Sequence, residues 1–180
     1  MNLRIGNGID FHKLVAGNDL LLGGIKINSP VGTVAYSDGD ILIHVLVDSI
    51  LGALSLGDLG TYFSSENPKW KNANSSTFLN FSLEEMDKLG YRILNTDLTI
   101  ILQSPPLRQY NNEIRQNLSS MLSIDINQIS LKATTTDKLG FIGQKKGISA
   151  LATTLLIYGN YFCPPYPECI KYIGKQTCEN

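Results

Sequence analysis

Apolar and polar residues alternate along Gly8-Ile9-Asp10-Phe11-His12, and residues 3–11 read as a first strand. Residues 20–27 read as a hairpin whose Gly23-Gly24 pair supplies the positive φ of a tight turn. A loop rich in Ser, Pro and Gly follows over residues 28–39. Asp38 or Asp40 then caps a helix running to about residue 54, apolar on nearly every side. Residues 57–75 form a long polar connection that holds the only tryptophan, Trp70. A second helix over residues 76–89 carries Leu79, Leu83 and Met86 as its core stripe and stops at Gly90.

A buried strand follows over residues 93–102. After Ser104-Pro105-Pro106 comes a helix over residues 110–122 with Ile114, Leu118 and Met121 on one face. Residues 129–133 and 148–158 read as the last two strands. The order of elements places the chain in the α+β class: a small mixed four-stranded sheet plus a hairpin, with helices on one face. The other sheet face needs cover, and a symmetric oligomer supplies it most economically. Residues 1–159 read as a single domain and residues 160–180 as an irregular tail.

Bulk properties narrow the functions available. At 19.8 kDa with 43% apolar residues, the chain can bury a core without staples. Fifteen basic and 16 acidic residues leave a net charge of −1, so no global field favours nucleic acid or an anionic membrane. No apolar stretch is long enough to span a bilayer. A strand starts almost at once without a leader, so the expected location is cytoplasmic, or the plastid stroma after removal of a transit peptide. Cys163, Cys169 and Cys178 crowd the tail in an odd number and read as free thiols rather than a disulfide framework or a common zinc pattern.

The chemistry concentrates on the two histidines. Asp10 and His12 lie two apart on a strand and project from one face. Asp40, His44 and Asp48 are spaced by four and form one polar row on an apolar helix. Two imidazoles and one carboxylate with a fourth position open match a catalytic rather than a structural zinc site. Asp40 or Asp48 could then orient an imidazole through its other nitrogen. The plainer alternative is a surface His12 and a hydrogen-bonded core His44.

A second group, Lys132-Ala133-Thr134-Thr135-Thr136-Asp137-Lys138, follows a strand and enters a turn. Its hydroxyls and N–H groups could grip phosphate, Lys132 could neutralise charge, and Asp137 could hold Mg²⁺. Ordinary turn chemistry explains the same residues. Ser37-Asp38-Gly39-Asp40 and Gly57-Asp58-Leu59-Gly60 could bind substrate hydroxyls or serve as caps, and position alone does not decide between them.

Taken together and in order, these segments resemble the 2-C-methyl-D-erythritol 2,4-cyclodiphosphate synthase family of the non-mevalonate isoprenoid pathway. The matching pieces run from Arg4 through His12, through Ser37–Asp40 with His44, then residues 57–60, then Lys132 to Phe141. The resemblance implies a homotrimer of packed sheets with active sites between subunits. It implies a lyase that cyclises 4-diphosphocytidyl-2-C-methyl-D-erythritol 2-phosphate with release of CMP. It implies Zn²⁺ on Asp10, His12 and His44, and Mg²⁺ or Mn²⁺ on Asp137 with the substrate. Asp58, Thr135 and Asp137 would be the catalytic residues. Tyr36, Ser37, Lys132, Thr134 and Thr135 would meet phosphates, Asp58 and Gly60 the erythritol, and Leu102, Ser104, Pro105, Pro106 and Leu107 the cytosine. Phe141 and Gln144 would line a central cavity.

Several positions depart from the family pattern. Tyr36 stands where a histidine is usual, Asp137 where a glutamate is, and Pro106 where a lysine is common. Gln144 replaces an arginine, Leu151 a glutamate, and Ser64-Ser65-Glu66-Asn67-Pro68 lacks a pair of aspartates. A non-catalytic trimer that binds metal for structure, and a metal-dependent phosphohydrolase, are the competing readings.

Overall fold

A computed structural model describes residues 2–159. The expected tail and its three cysteines lie outside the described residues. β1 (Leu3–Ala16), β2 (Leu20–Leu22), β3 (Ile25–Ile27) and β4 (Val31–Val34) lead into α1 (Ile41–Leu54) and α2 (Leu59–Tyr62). Then come α3 (Ser75–Lys88), β5 (Tyr91–Ile101), α4 (Asn111–Leu122), β6 (Ile129–Thr134), α5 (Gly140–Gly143) and β7 (Gly147–Tyr158). The α+β class holds, with one correction: the mixed sheet has five strands, ordered β4-β1-β7-β5-β6, beside the two-stranded β2-β3 hairpin. The extra strand is β4, expected as loop. It pairs antiparallel with the last residues of β1, which runs five residues past its expected end.

Only β5 and β6 are parallel, joined by the α4 crossover; the other pairings in the sheet are antiparallel. Even-numbered residues of β1 face α1, and odd-numbered Ile5, Ile9 and Phe11 point the other way and are exposed. Along β5 the buried side switches from Tyr91 and Ile93 to Thr96, Leu98 and Ile100 because a bulge near Leu94 inserts one residue.

α1 is buried on almost every side, as its sequence predicts. It lies so close to β1 that a Cβ on Gly6 would come within 2.0 Å of Ser49 O, and one on Gly8 within 2.3 Å of Val45 O. Glycine alone permits that approach. Where helix meets sheet, Ser49, Thr154 and Thr96 satisfy one another through buried hydroxyl bonds of 2.7 and 3.0 Å. The long connection after α1 is not featureless: it holds α2 and a 3₁₀ turn at Pro68–Trp70, with Phe63 and Trp70 packed edge to face. In α3 and α4, Leu83 and Met121 are only partly buried, while Leu79, Met86, Ile114 and Leu118 enter the core.

Candidate active site

β1 and α1 bring Asp10, His12 and His44 together, with one ligand atom from each lying within 4.8 Å of the others. Asp10 Oδ2 is 3.0 Å from His12 Nε2 and 3.2 Å from His44 Nδ1. The other oxygen, Oδ1, accepts the Phe11 N–H at 2.7 Å, so Oδ2 is the atom turned to both rings. Metal–ligand bonds of about 2.0–2.1 Å in a tetrahedron give edges of about 3.3–3.4 Å, close to these spacings. The imidazole planes meet edge to face at 5.2 Å. Burial pushes the Asp10 carboxyl up, but hydrogen bonds with His12 and His44 and the charge of His12 outweigh it and hold it well below the usual carboxylate range. Geometry and donor set therefore fit a divalent cation, and His12 is a half-buried ligand candidate turned toward Asp10 rather than a free surface residue.

The expected role of Asp40 and Asp48 needs correction, because neither is hydrogen-bonded to an imidazole among the described residues. Asp40 accepts N–H bonds from Gly23, Gly24 and Ile43, capping α1 and clamping it to the hairpin turn. Burial still pushes its carboxyl up despite those bonds. Asp48 accepts the Leu59 N–H at 2.8 Å and so anchors the start of α2. At His44, Nε2 lies 3.1 Å from both Ser37 Oγ and Ser75 Oγ. Sequence reasoning missed Ser75, which it placed at the end of a polar loop. A serine beginning a helix carries no signal of what the next helix sets against it.

Asp58 caps α2 through Thr61 N–H and Oγ1–H, both at 2.8 Å, and stays exposed next to exposed Gly60. Those bonds hold its carboxyl below the ordinary value. Tyr36 is exposed, and its hydroxyl donates to the Asn67 carbonyl at 3.4 Å, tying it to the connection after α2. These residues gather around α1 and the metal candidates.

The remaining predicted residues gather elsewhere, at the ends of β5 and β6. The Leu102 N–H donates to Thr134 O at 3.0 Å and the Lys138 N–H to Gln103 Oε1 at 3.1 Å, stitching residues 102–107 to the threonine turn. Leu102 and Leu107 are buried in the core and anchor that loop, so Ser104, Pro105 and Pro106 form its outward part. Thr135 Oγ1 accepts the Asp137 N–H at 3.2 Å and donates to Asp137 Oδ1 at 3.4 Å, and both residues are exposed. Lys132 is paired with Asp97 across the parallel strands. Phe141 packs at 6.4 Å against Phe11 on the face away from α1, and Gln144 is exposed at the end of α5.

Between β1 and β6 lie β7 and β5. Two to three strand spacings of about 4.8 Å separate β1 from β5 and β6, roughly 10–14 Å within one chain.

Comparison with known proteins gives a match of residues 3–157 to the model of the YgbB family. The 2-C-methyl-D-erythritol 2,4-cyclodiphosphate synthase of Acinetobacter baumannii is 44% identical over 154 residues, 86% of this chain and 96% of its own. The synthase of Clostridium perfringens is 45% identical over 155 residues, 86% of this chain and 99% of its own. Among solved structures, IspF from Plasmodium falciparum, in complex with CDP, superposes with a TM-score of 0.79 at 44% identity, covering 88% of this chain and 98% of its own.

Proposed function

This chain belongs to the YgbB family, and from that membership we infer that it is a 2-C-methyl-D-erythritol 2,4-cyclodiphosphate synthase. It converts 4-diphosphocytidyl-2-C-methyl-D-erythritol 2-phosphate to the cyclic diphosphate and CMP. An oxygen of the 2-phosphate attacks the β-phosphorus, and the bond to the oxygen bridging the α- and β-phosphates breaks. That oxygen keeps the electron pair and leaves on CMP, as in a phosphorus-oxygen lyase. The CDP seen with the Plasmodium relative supports a cytidine diphosphate moiety as the part recognised. The single observation that carries the reading is the convergence of Asp10, His12 and His44.

The protein's part is positioning and charge. Ser37 Oγ sits beside the triad, where it can donate to a phosphate, and Tyr36 can do the same without imidazolium charge. Asp58 and Gly60 present a carboxylate and a backbone to the erythritol hydroxyls. Thr134, Thr135 and Lys132 face the nucleotide phosphates, and Ser104, Pro105 and Pro106 rim the cytosine. When bound, Zn²⁺ at the triad would polarise the β-phosphate, and Mg²⁺ or Mn²⁺ at Asp137 would neutralise the departing charge.

The roughly 10–14 Å between the strands that carry the two groups of residues argues for a site completed by a neighbouring subunit. The exposed apolar Ile5, Ile9, Phe11 and Leu151 on the sheet argue the same, and a homotrimer answers both. A cytoplasmic or plastid-stromal location fits this reading.

The test is to incubate the purified protein with substrate and divalent metal and to identify the products. CMP with cyclic diphosphate is expected, lost by more than ~100-fold in His44→Ala and Asp10→Ala. Release of inorganic phosphate, or no product from metal-loaded protein, would overturn the reading.

A further inference from the structure

His44 is engaged at both ring nitrogens, and the partners at Nε2 decide what Nδ1 can do. Ser75, the first residue of α3, is fully buried. Its main-chain N–H donates to Asp38 Oδ2 at 2.9 Å, and its hydroxyl donates to Asp38 Oδ1. Asp38 is itself fixed: its N–H donates to Ala73 O at 3.0 Å, and Oδ1 also accepts the Asp40 N–H at 3.2 Å. The Ser75 hydroxyl has a single proton, and its hydrogen bond to Asp38 Oδ1 commits that proton there. Toward His44 Nε2, 3.1 Å away, Ser75 Oγ can then offer only a lone pair. A bare Nε2 would set two lone pairs against each other in a buried site, whereas a protonated Nε2 makes a hydrogen bond.

We propose that Asp38 and Ser75 are a positioning pair that holds the proton of His44 on Nε2 and so keeps its Nδ1 lone pair available to a metal at Asp10 and His12. This rests on the metal reading given above. It assigns to Asp38 and Ser75 the orienting role that the helical spacing of Asp40 and Asp48 had suggested. Ser37 gains from the same arrangement. Its oxygen accepts the Gly39 N–H at 3.3 Å and shares the Nε2–H, which leaves its own proton for an incoming phosphate.

Zinc affinity, measured by competition with a chromophoric chelator, is the first readout. Ser75→Ala is expected to weaken binding about 10–100-fold, and Asp38→Asn to weaken it in the same direction. The second readout is the His44 Nε2–H resonance of the zinc-loaded protein, simple to assign because the chain has only two histidines. It should move upfield in both variants, which a purely structural role for Ser75 would not produce. If Ser75→Ala does not fold, Asp38→Asn decides on the same two readouts. Zinc binding within about twofold of wild type, with the resonance unmoved, overturns the proposal. His44→Ala separates the two levels of the claim. Full zinc affinity in that variant overturns the metal reading itself, while its loss there without loss in Ser75→Ala or Asp38→Asn overturns only the positioning pair.

Discussion

Asp40 stands at the join between the hairpin turn and α1, and its carboxylate takes the N–H groups of Gly23, Gly24 and Ile43. Removing it takes away a helix cap and leaves buried donors unpaired. Asp40→Ala should therefore lower unfolding stability by about 3 kcal/mol in urea melts. Lys132 and Asp97 form the opposite case, a pair at the surface. Burial pushes the Asp97 carboxyl up, but hydrogen bonds from Lys132 and Ser130 and the Lys132 charge together outweigh this and hold it below its ordinary value. A depressed folded value gives stability that is present above the unfolded value of about 3.9 and lost as pH falls through the folded one. Both side chains are about half exposed, so solvent screens the pair, and Lys132→Met should cost less than ~1 kcal/mol near neutrality and nothing measurable in acid. A fall in kcat/KM well beyond that small destabilisation would mark Lys132 as a phosphate contact. The histidines and Asp10 were legible in the sequence because a two-residue strand spacing and an oily helix each announce a polar residue in an apolar setting. Ser75 was not, since its burial and its contact with His44 are created only when α3 docks against α1.

Among elements, α1 was legible nearly to its ends because a long apolar run with an aspartate before it has few other solutions. The hairpin was equally plain, with Gly23 and Gly24 both at positive φ. β4 was hidden because Val31-Gly32-Thr33-Val34 is too short to display a period, and only pairing with β1 makes it a strand. Two glycines hold a further meaning that spacing offered and sequence reasoning did not take up. Gly6 and Gly8 lie two apart on β1 and so share its α1-facing side, where both meet helix backbone. Gly8→Ala would drive a methyl group into Val45 O and the Asp48 side chain, pushing α1 away from β1 and His44 away from Asp10. The expected result is a loss of about 2–4 kcal/mol in denaturant unfolding together with weaker zinc binding. Normal stability with intact zinc affinity would show that helix and strand separate without disturbing the triad.

Across the whole molecule, two demands call for a neighbouring copy of the chain. One is apolar: Ile5 is 69% exposed, with Ile9 and Phe11 beside it on the strand. The other is functional, because the triad near β1 and the threonine turn after β6 lie too far apart in one chain to hold a single pyrophosphate. Packing three copies through these faces buries the first and can complete the second, with the triad of one subunit meeting residues 102–107 and 132–137 of the next. Sedimentation should then give a species of three times 19.8 kDa. Ile5→Asp sets a charge in the middle of the covered face and should release monomers. All three metal candidates come from one chain, so that monomer should keep its zinc affinity while losing turnover by more than ~100-fold. A wild-type protein that sediments as a monomer, or an Ile5→Asp monomer with full activity, would require each chain to build a complete site alone.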